Sequence, residues 1–310
     1  MNEVTKIPSA RNLPVGIRQF RMILCALAAI TLFAPSVSGA DKKIVLIAGK
    51  ASHGPGEHEF RAGCLLLQKC LAGVSGVNTE VCDNGWPKAN SVLDGAAAVV
   101  LYADGGSGHP FFQGDHAAVI QAMARRGVGL GCLHYAVEVP KGEPGEKMCD
   151  WIGGYYEDHY SCNPMWLPDY QKFPDHPITR GVQPFSLKDE WYMNMRWRPD
   201  GHGLTPILSA KPSVAVRDGP YVWPKGPYPH IQANKGREET MMWAYERPDG
   251  GRGFGWTGGH YHKNWGDENY RKVVLNAILW LAKIDVPASG AQSSLNGDDL
   301  TCNLDPKGRK

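Results

Sequence analysis

Eleven histidines occur in the 310-residue sequence, and five of them cluster in three short motifs. His53 and His58 lie in SHGPGEHE (residues 52–59), His134 closes the run GCLH, and His260 and His262 lie in GGHYH (258–262). Imidazole is both a metal ligand and a proton carrier near neutral pH. Three imidazoles from separate elements, with a fourth position open, form the ligand set of a Lewis-acid or water-activating zinc site. His58, His134 and His260 are therefore the expected ligands of a divalent metal, zinc in the first instance, with His53 and His262 in reserve at the substrate side. His53 and His58 are five residues apart across Pro55 and two glycines, so no helical HExxH motif applies.

Carboxylates are the second requirement, because such a site needs a base. Asp104, which follows an apolar run, and Glu190 are the candidates, working with His134. Glu57 and Glu59 have an alternative reading as acidic residues favouring a helix amino terminus. The pair Asp189-Glu190 precedes Trp191-Tyr192, a pattern equally suited to substrate contact and to a turn. With ten tryptophans and twelve tyrosines in the chain, flat rings beside polar loops are available to stack on a sugar. Trp191, Trp223 and Tyr228 are the expected lining. Cys132 supports a rival reading, a cysteine nucleophile with His260 or His262 as base. A nucleophile elbow of that kind needs glycine two places after the cysteine, where this sequence has His134, so Cys132 is expected inside a strand. A third reading is a sugar-binding module without catalysis.

These residues converge only if the elements between them form a particular fold. A continuous apolar run at 43–49 reads as a buried parallel strand, 77–82, 96–102 and 128–133 read as the next three strands, and segments at 57–72 and 111–126 read as helices between them. Alternation of this kind predicts an α/β fold, a flavodoxin-like parallel sheet with helices on both faces and right-handed crossovers. Binding crevices of such sheets lie outside the carboxyl ends of the strands, where the histidine motifs fall. Residues 138–229 read as an irregular, aromatic-rich insertion with short candidate strands at 205–208 and 213–216. Regularity returns at 240–245, 253–257 and in a closing helix at 268–282 with an apolar stripe of Val273, Val274, Ile278 and Leu281. The turn after the first strand, GKASHGPGEH, has neither a dinucleotide fingerprint nor a P-loop, so no nucleotide cofactor is expected.

The rest of the chain sets the context. Residues 1–40 carry Arg11, Arg18 and Arg21 before an apolar run at 22–33 and the small residues Ser38-Gly39-Ala40, the pattern of an export signal rather than a membrane anchor. A periplasmic or secreted domain over 41–286 is expected, with no membrane attachment after cleavage. The tail at 287–310, rich in Ser, Gly, Asp and Lys, is expected to be disordered. Seven cysteines follow the signal; most read as small core residues, and a Cys149–Cys162 bridge is conceivable. A formal net charge of +2 gives no field that would attract nucleic acid. A small-molecule carbohydrate is the expected partner, and a homo-oligomer is compatible with the sequence.

Taken together, the motifs resemble the ThuA-like (trehalose utilisation) family. The resemblance rests on Ala48-Gly49-Lys50 with residues 52–60, on Gly129 through His134, on FPDHPITRG (173–181), on Asp189 to Tyr192 and on Gly258-Gly259-His260, and it spans nearly all of 43–283. It implies a fold similar to the class I glutamine amidotransferases without their nucleophilic cysteine: His134 takes the elbow position, and Cys132 stands where the family usually has glycine. The implied biology is metabolism of trehalose, related disaccharides or keto-sugars; the histidine site, read beside it, leads to the expectation of a hydrolase or lyase acting on carbohydrates. The rigid FPDHPITRG run is expected to be structural, with His176 held between prolines.

Overall fold

The computed structural model describes residues 41–307. Burial on two sides explains the continuous apolar runs. In β1 (Lys42–Ala48), Ile44, Leu46 and Ala48 face one packing layer while Val45 and Ile47 face the other. The strands β2 (Val77–Cys82), β3 (Ala96–Tyr102), β4 (Gly129–Leu133), β5 (Leu204–Ala210), β6 (Glu239–Glu246) and β7 (Arg252–Trp256) complete a seven-stranded sheet in the order β5-β6-β7-β4-β3-β1-β2. The pairings from β7 through β2 are parallel. Those of β5 with β6 and β6 with β7 are antiparallel, so the expected parallel sheet is mixed at one edge. The cause is local: residues 247–251 are too few for a crossover and close a hairpin.

Helices cover both faces. Helix α1 (Phe60–Leu71) and helix α4 (Glu268–Leu281) pack on one side, and α2 (His116–Arg125) and α3 (Glu143–Trp151) on the other. Helix α3 is missing from the sequence reading because Pro144 and Gly145 read as breakers. Proline in a first helical turn costs nothing, since its missing N–H has no partner there anyway. The helix expected over 111–126 begins only at His116, after a 3-10 turn at Pro110–Phe112 and a left-handed Gly114. The strand expected at 213–216 is the start of a short helix, Val214–Asp218, capped by the Ser213 hydroxyl.

Helix α4 is buried all round from Tyr270 to Leu281, not only along its apolar stripe. Its polar side is covered by two segments. Asn276 donates to the carbonyls of Ile178 and Arg180 in the FPDHPITRG run, and its own oxygen accepts the Ala291 amide. Arg271 reaches Ser293, and His176 packs edge-on against Trp280. The segment 287–307 is therefore laid along the domain through specific hydrogen bonds, in contrast to the disorder expected from its composition. Within 138–229, three two-residue ladders pair Gly154–Tyr155 with Arg196–Trp197, Met165–Trp166 with Asp189–Glu190, and Asp169–Tyr170 with Phe185–Ser186. The seven cysteines among the described residues are free, and Cys149 and Cys162 are not bridged. The expected export segment at 1–40 lies outside the described residues, among which no helix is long and apolar enough to cross a membrane.

Candidate metal centre

Each histidine of the centre lies in a loop that leaves the carboxyl end of a strand. His134 follows β4 directly, in the left-handed region at φ 56°, a conformation that costs a non-glycine residue about 1 kcal/mol and marks a sharp elbow. Its Nδ1 lies 2.8 Å from the Thr257 carbonyl oxygen. A carbonyl only accepts, so Nδ1 carries the hydrogen and Nε2 presents a bare lone pair. His58, at φ 47° in the turn before α1, donates Nδ1–H to Asp104 Oδ1 at 3.1 Å, which likewise frees its Nε2. Asp104 is steadied by the Ser52 hydroxyl at 3.0 Å.

His260 is placed by a latch that begins far away in sequence. Asp189 accepts the Gly259 amide at 2.9 Å and the Tyr270 hydroxyl, and reaches the Tyr261 amide at 3.4 Å. Gly259 sits at φ 115°, and a Cβ there would come within 3.2 Å of the His134 Cβ, so only glycine allows the two loops to approach. The His58 amide then donates to the His260 carbonyl at 2.9 Å, joining first and last strand-end loops. Glu190, on the short strand paired with Met165, is buried, and its Oε1 accepts from Asn163 at 2.8 Å.

The result is a tight set of donors. His58 Nε2 lies 3.1 Å from both His134 Nε2 and His260 Nδ1, and Glu190 Oε2 lies 2.7 Å from His260 Nδ1 and 3.5 Å from His134 Nε2. Four ligand atoms, one from each residue, fall within 4.8 Å of one another. Two neutral imidazoles facing each other through bare Nε2 lone pairs repel unless a cation lies between them. Tetrahedral coordination with metal–nitrogen bonds of about 2.0–2.1 Å separates ligands by roughly 3.3 Å, close to the spacing seen. The donor set therefore fits a divalent metal. Burial first, then the neighbouring imidazoles, hold His58 well below the usual histidine range, which keeps that ligand neutral. Burial would raise Glu190, but the neighbouring His134 and His260 imidazoles outweigh it and bring it down to about 2. The reciprocal bond to Glu190 overcomes the burial of His260 and raises that group, so a metal taken up at its Nδ1 displaces a proton.

A family model described as "ThuA: Trehalose utilisation" matches residues 45–281. The chain belongs to the ThuA family. Its fold is shared with a putative ThuA-like protein from Bacteroides uniformis ATCC 8492, at 16% identity and a TM-score of 0.56, covering 81% of this chain and 96% of that one. A putative ThuA-like protein from Parabacteroides merdae ATCC 43184 is similar, at 15% identity and a TM-score of 0.53, covering 84% and 99%. No curated protein matches the chain. ThuA membership links the chain to trehalose utilisation.

The ThuA fold brings His58, His134, His260 and Glu190 together, with Asp104 behind His58. Neither expected base is free: Glu190 faces the imidazoles and Asp104 is engaged by His58 and Ser52. His53 stacks on His58 at a centroid distance of 3.6 Å and lines a cavity of about 520 Å³ that opens beside the centre. Trp223, 72% exposed, lines that cavity too. Trp191 does not: it is fully buried against Tyr170, Trp256 and Tyr270 and donates to the Leu187 carbonyl, so it is core. Tyr228 packs on Tyr221 and His230, away from the cavity lining. His262 is buried outside the donor set, and desolvation lowers it to about 4. Cys132 is fully buried within β4, where desolvation pushes its thiol up, which removes it as a nucleophile.

Two further cavity residues, not among the expected site residues, stand close to the centre. Glu138 lines the cavity without a side-chain hydrogen bond among the described residues, and burial, with Asp158 and Glu190 nearby, pushes it up to about 8. Tyr192 lines it as well, its hydroxyl 3.4 Å from His134 Nε2. The available signal for Glu138 was its place one short turn beyond the His134 elbow.

Proposed function

We propose that this ThuA protein is an exported enzyme acting on a disaccharide or keto-sugar through metal-assisted hydrolysis or acid/base chemistry. The observation that carries the reading is the convergence of His58, His134, His260 and Glu190 on one point at the wall of a polar cavity. The three histidines and Glu190 would hold the ion, with Asp104 and the Thr257 carbonyl fixing the tautomers of His58 and His134. A divalent ion held there, zinc being the choice for imidazole and carboxylate ligands, would supply Lewis acidity toward a substrate oxygen that joins this four-residue set or takes the place of Glu190.

The remaining chemistry falls to the chain's own groups. With Glu138 near 8, its carboxyl keeps its proton at neutral pH and serves as the acid toward a leaving oxygen. Trp223 offers a flat apolar face for a sugar ring, while Asn163 and Asp158 supply polar contacts within the same cavity. The test is direct: incubate zinc-loaded protein with trehalose and with its keto-derivative, and follow release of monosaccharide. The expected result is turnover that stops with a chelator and returns with zinc. Sugar binding without any turnover contradicts the proposal, and turnover indifferent to the chelator contradicts its metal-assisted form.

A further inference from the structure

The turn that carries His58 is held from two sides. On one side it is joined to the last loop: Glu57 bridges Tyr261, the His262 amide donates to the Gly56 carbonyl, and the His58 amide donates to the His260 carbonyl. The other side faces the carboxy-terminal segment. The Lys307 ammonium donates to the Glu57 carbonyl, to the His58 carbonyl at 3.2 Å and to Glu59 Oε1 at 3.3 Å, and the side chains of Lys307 and Glu59 are 5% and 1% exposed. Glu59 stands at the N-cap of α1 yet makes no capping bond with the helix. Its oxygens instead accept the Gly56 amide and the Asp305 amide, both at 2.8 Å.

A buried ammonium with three acceptors in one turn is an expensive arrangement that exposed charge pairs do not explain. His58 occupies the left-handed region, so its turn needs outside support to keep Nε2 aimed at the other donors. We propose that Lys307 is a positioning residue for the metal centre: together with Glu59 it straps the carboxy-terminal segment over the His58 turn and presets that histidine for coordination. The proposal rests on the metal reading of the site. Lys307 touches none of the donor atoms and acts through the backbone of Glu57 and His58. In this respect it behaves like the outer groups of other metal sites, whose loss typically weakens metal binding about 10–100-fold.

The experiment measures the Co2+ dissociation constant of the full chain by chelator competition, with the visible spectrum of bound Co2+, for wild type, Lys307→Met and Lys307→Arg. The expected result is about tenfold weaker binding in Lys307→Met with an altered spectrum, and substantial recovery in Lys307→Arg. Should Lys307→Met fail to fold, Lys307→Gln retains donors for the two carbonyls without the charge, and at least about threefold weakening is expected. Wild-type affinity and spectrum in the substituted proteins, with only a lowered unfolding midpoint, would make Lys307 merely structural and overturn the proposal while leaving the metal reading intact. No Co2+ uptake by the wild type overturns both.

Discussion

The donors of the centre come from two regions built on different principles. His58, His134 and His260 are fixed by strand ends and by backbone contacts between the loops that follow β1, β4 and β7. Glu190 comes from the insertion, where two-residue ladders replace a sheet and a single Asn163 bond steadies the carboxylate. The frame thus sets nitrogen geometry through main-chain hydrogen bonds, whereas the insertion adds charge, a proton donor and an exposed aromatic face. A division of this kind allows the insertion to vary with substrate while the three histidines stay in place.

If the frame dominates metal binding, His134→Ala should weaken it most, by more than about 100-fold. Glu190→Gln, which keeps an oxygen ligand but removes its charge, should weaken it less, by about 10–100-fold. Chelator competition checks both, and the reverse order would break the comparison. Acid should also strike the frame first. His109 and His262 are buried near strand ends and are held down to about 4 by desolvation. The unfolded chain binds protons at the ordinary value near 6.5, so their stability contribution is complete above that pH and is lost as pH falls toward 4. Between pH 7 and pH 5 the loss is about 2 kcal/mol for each, on the order expected from such shifts. Urea unfolding of the metal-free protein at the two pH values measures it, and a flat profile would contradict the assignment.

Effects in the insertion should be smaller and confined to substrate. Trp223→Ala should leave stability within about 0.5 kcal/mol, as for other exposed positions, and should lower disaccharide affinity about tenfold through lost stacking. Calorimetric titration decides between this and an aromatic unrelated to the sugar. The smallest effect belongs to the rejected nucleophile: Cys132→Ala should change metal affinity and turnover by less than about twofold, since the thiol is sealed in β4 and touches no donor. A large loss of turnover with metal affinity intact would reopen the cysteine reading.

The same contrast explains what was legible in the sequence. Runs such as KIVLIA at β1 and GLGCL at β4 announce their ends because they are buried and the chain beyond them turns polar, so the histidines that follow could be placed on one edge. His134 stood out because it replaces a nucleophile at an elbow. Trp191 was misread as substrate lining since an aromatic after a polar pair looks the same whether it faces solvent or core; the latch formed by Asp189 turns Glu190 toward the imidazoles and leaves Trp191 in the core. Glu138 was invisible for another reason. Its altered acidity depends on burial and on Asp158 and Glu190, residues distant in sequence, and no local pattern records that. The tail was misread from composition because its hydrogen bonds to Asn276 and Glu59 depend on tertiary neighbours.

The most direct test of the central claim is the metal content of protein purified without a histidine tag, wild type beside His134→Ala, by elemental analysis after dialysis against zinc. The account predicts near-stoichiometric zinc in the wild type and almost none in the variant. No zinc in either protein, or equal zinc in both, would contradict it.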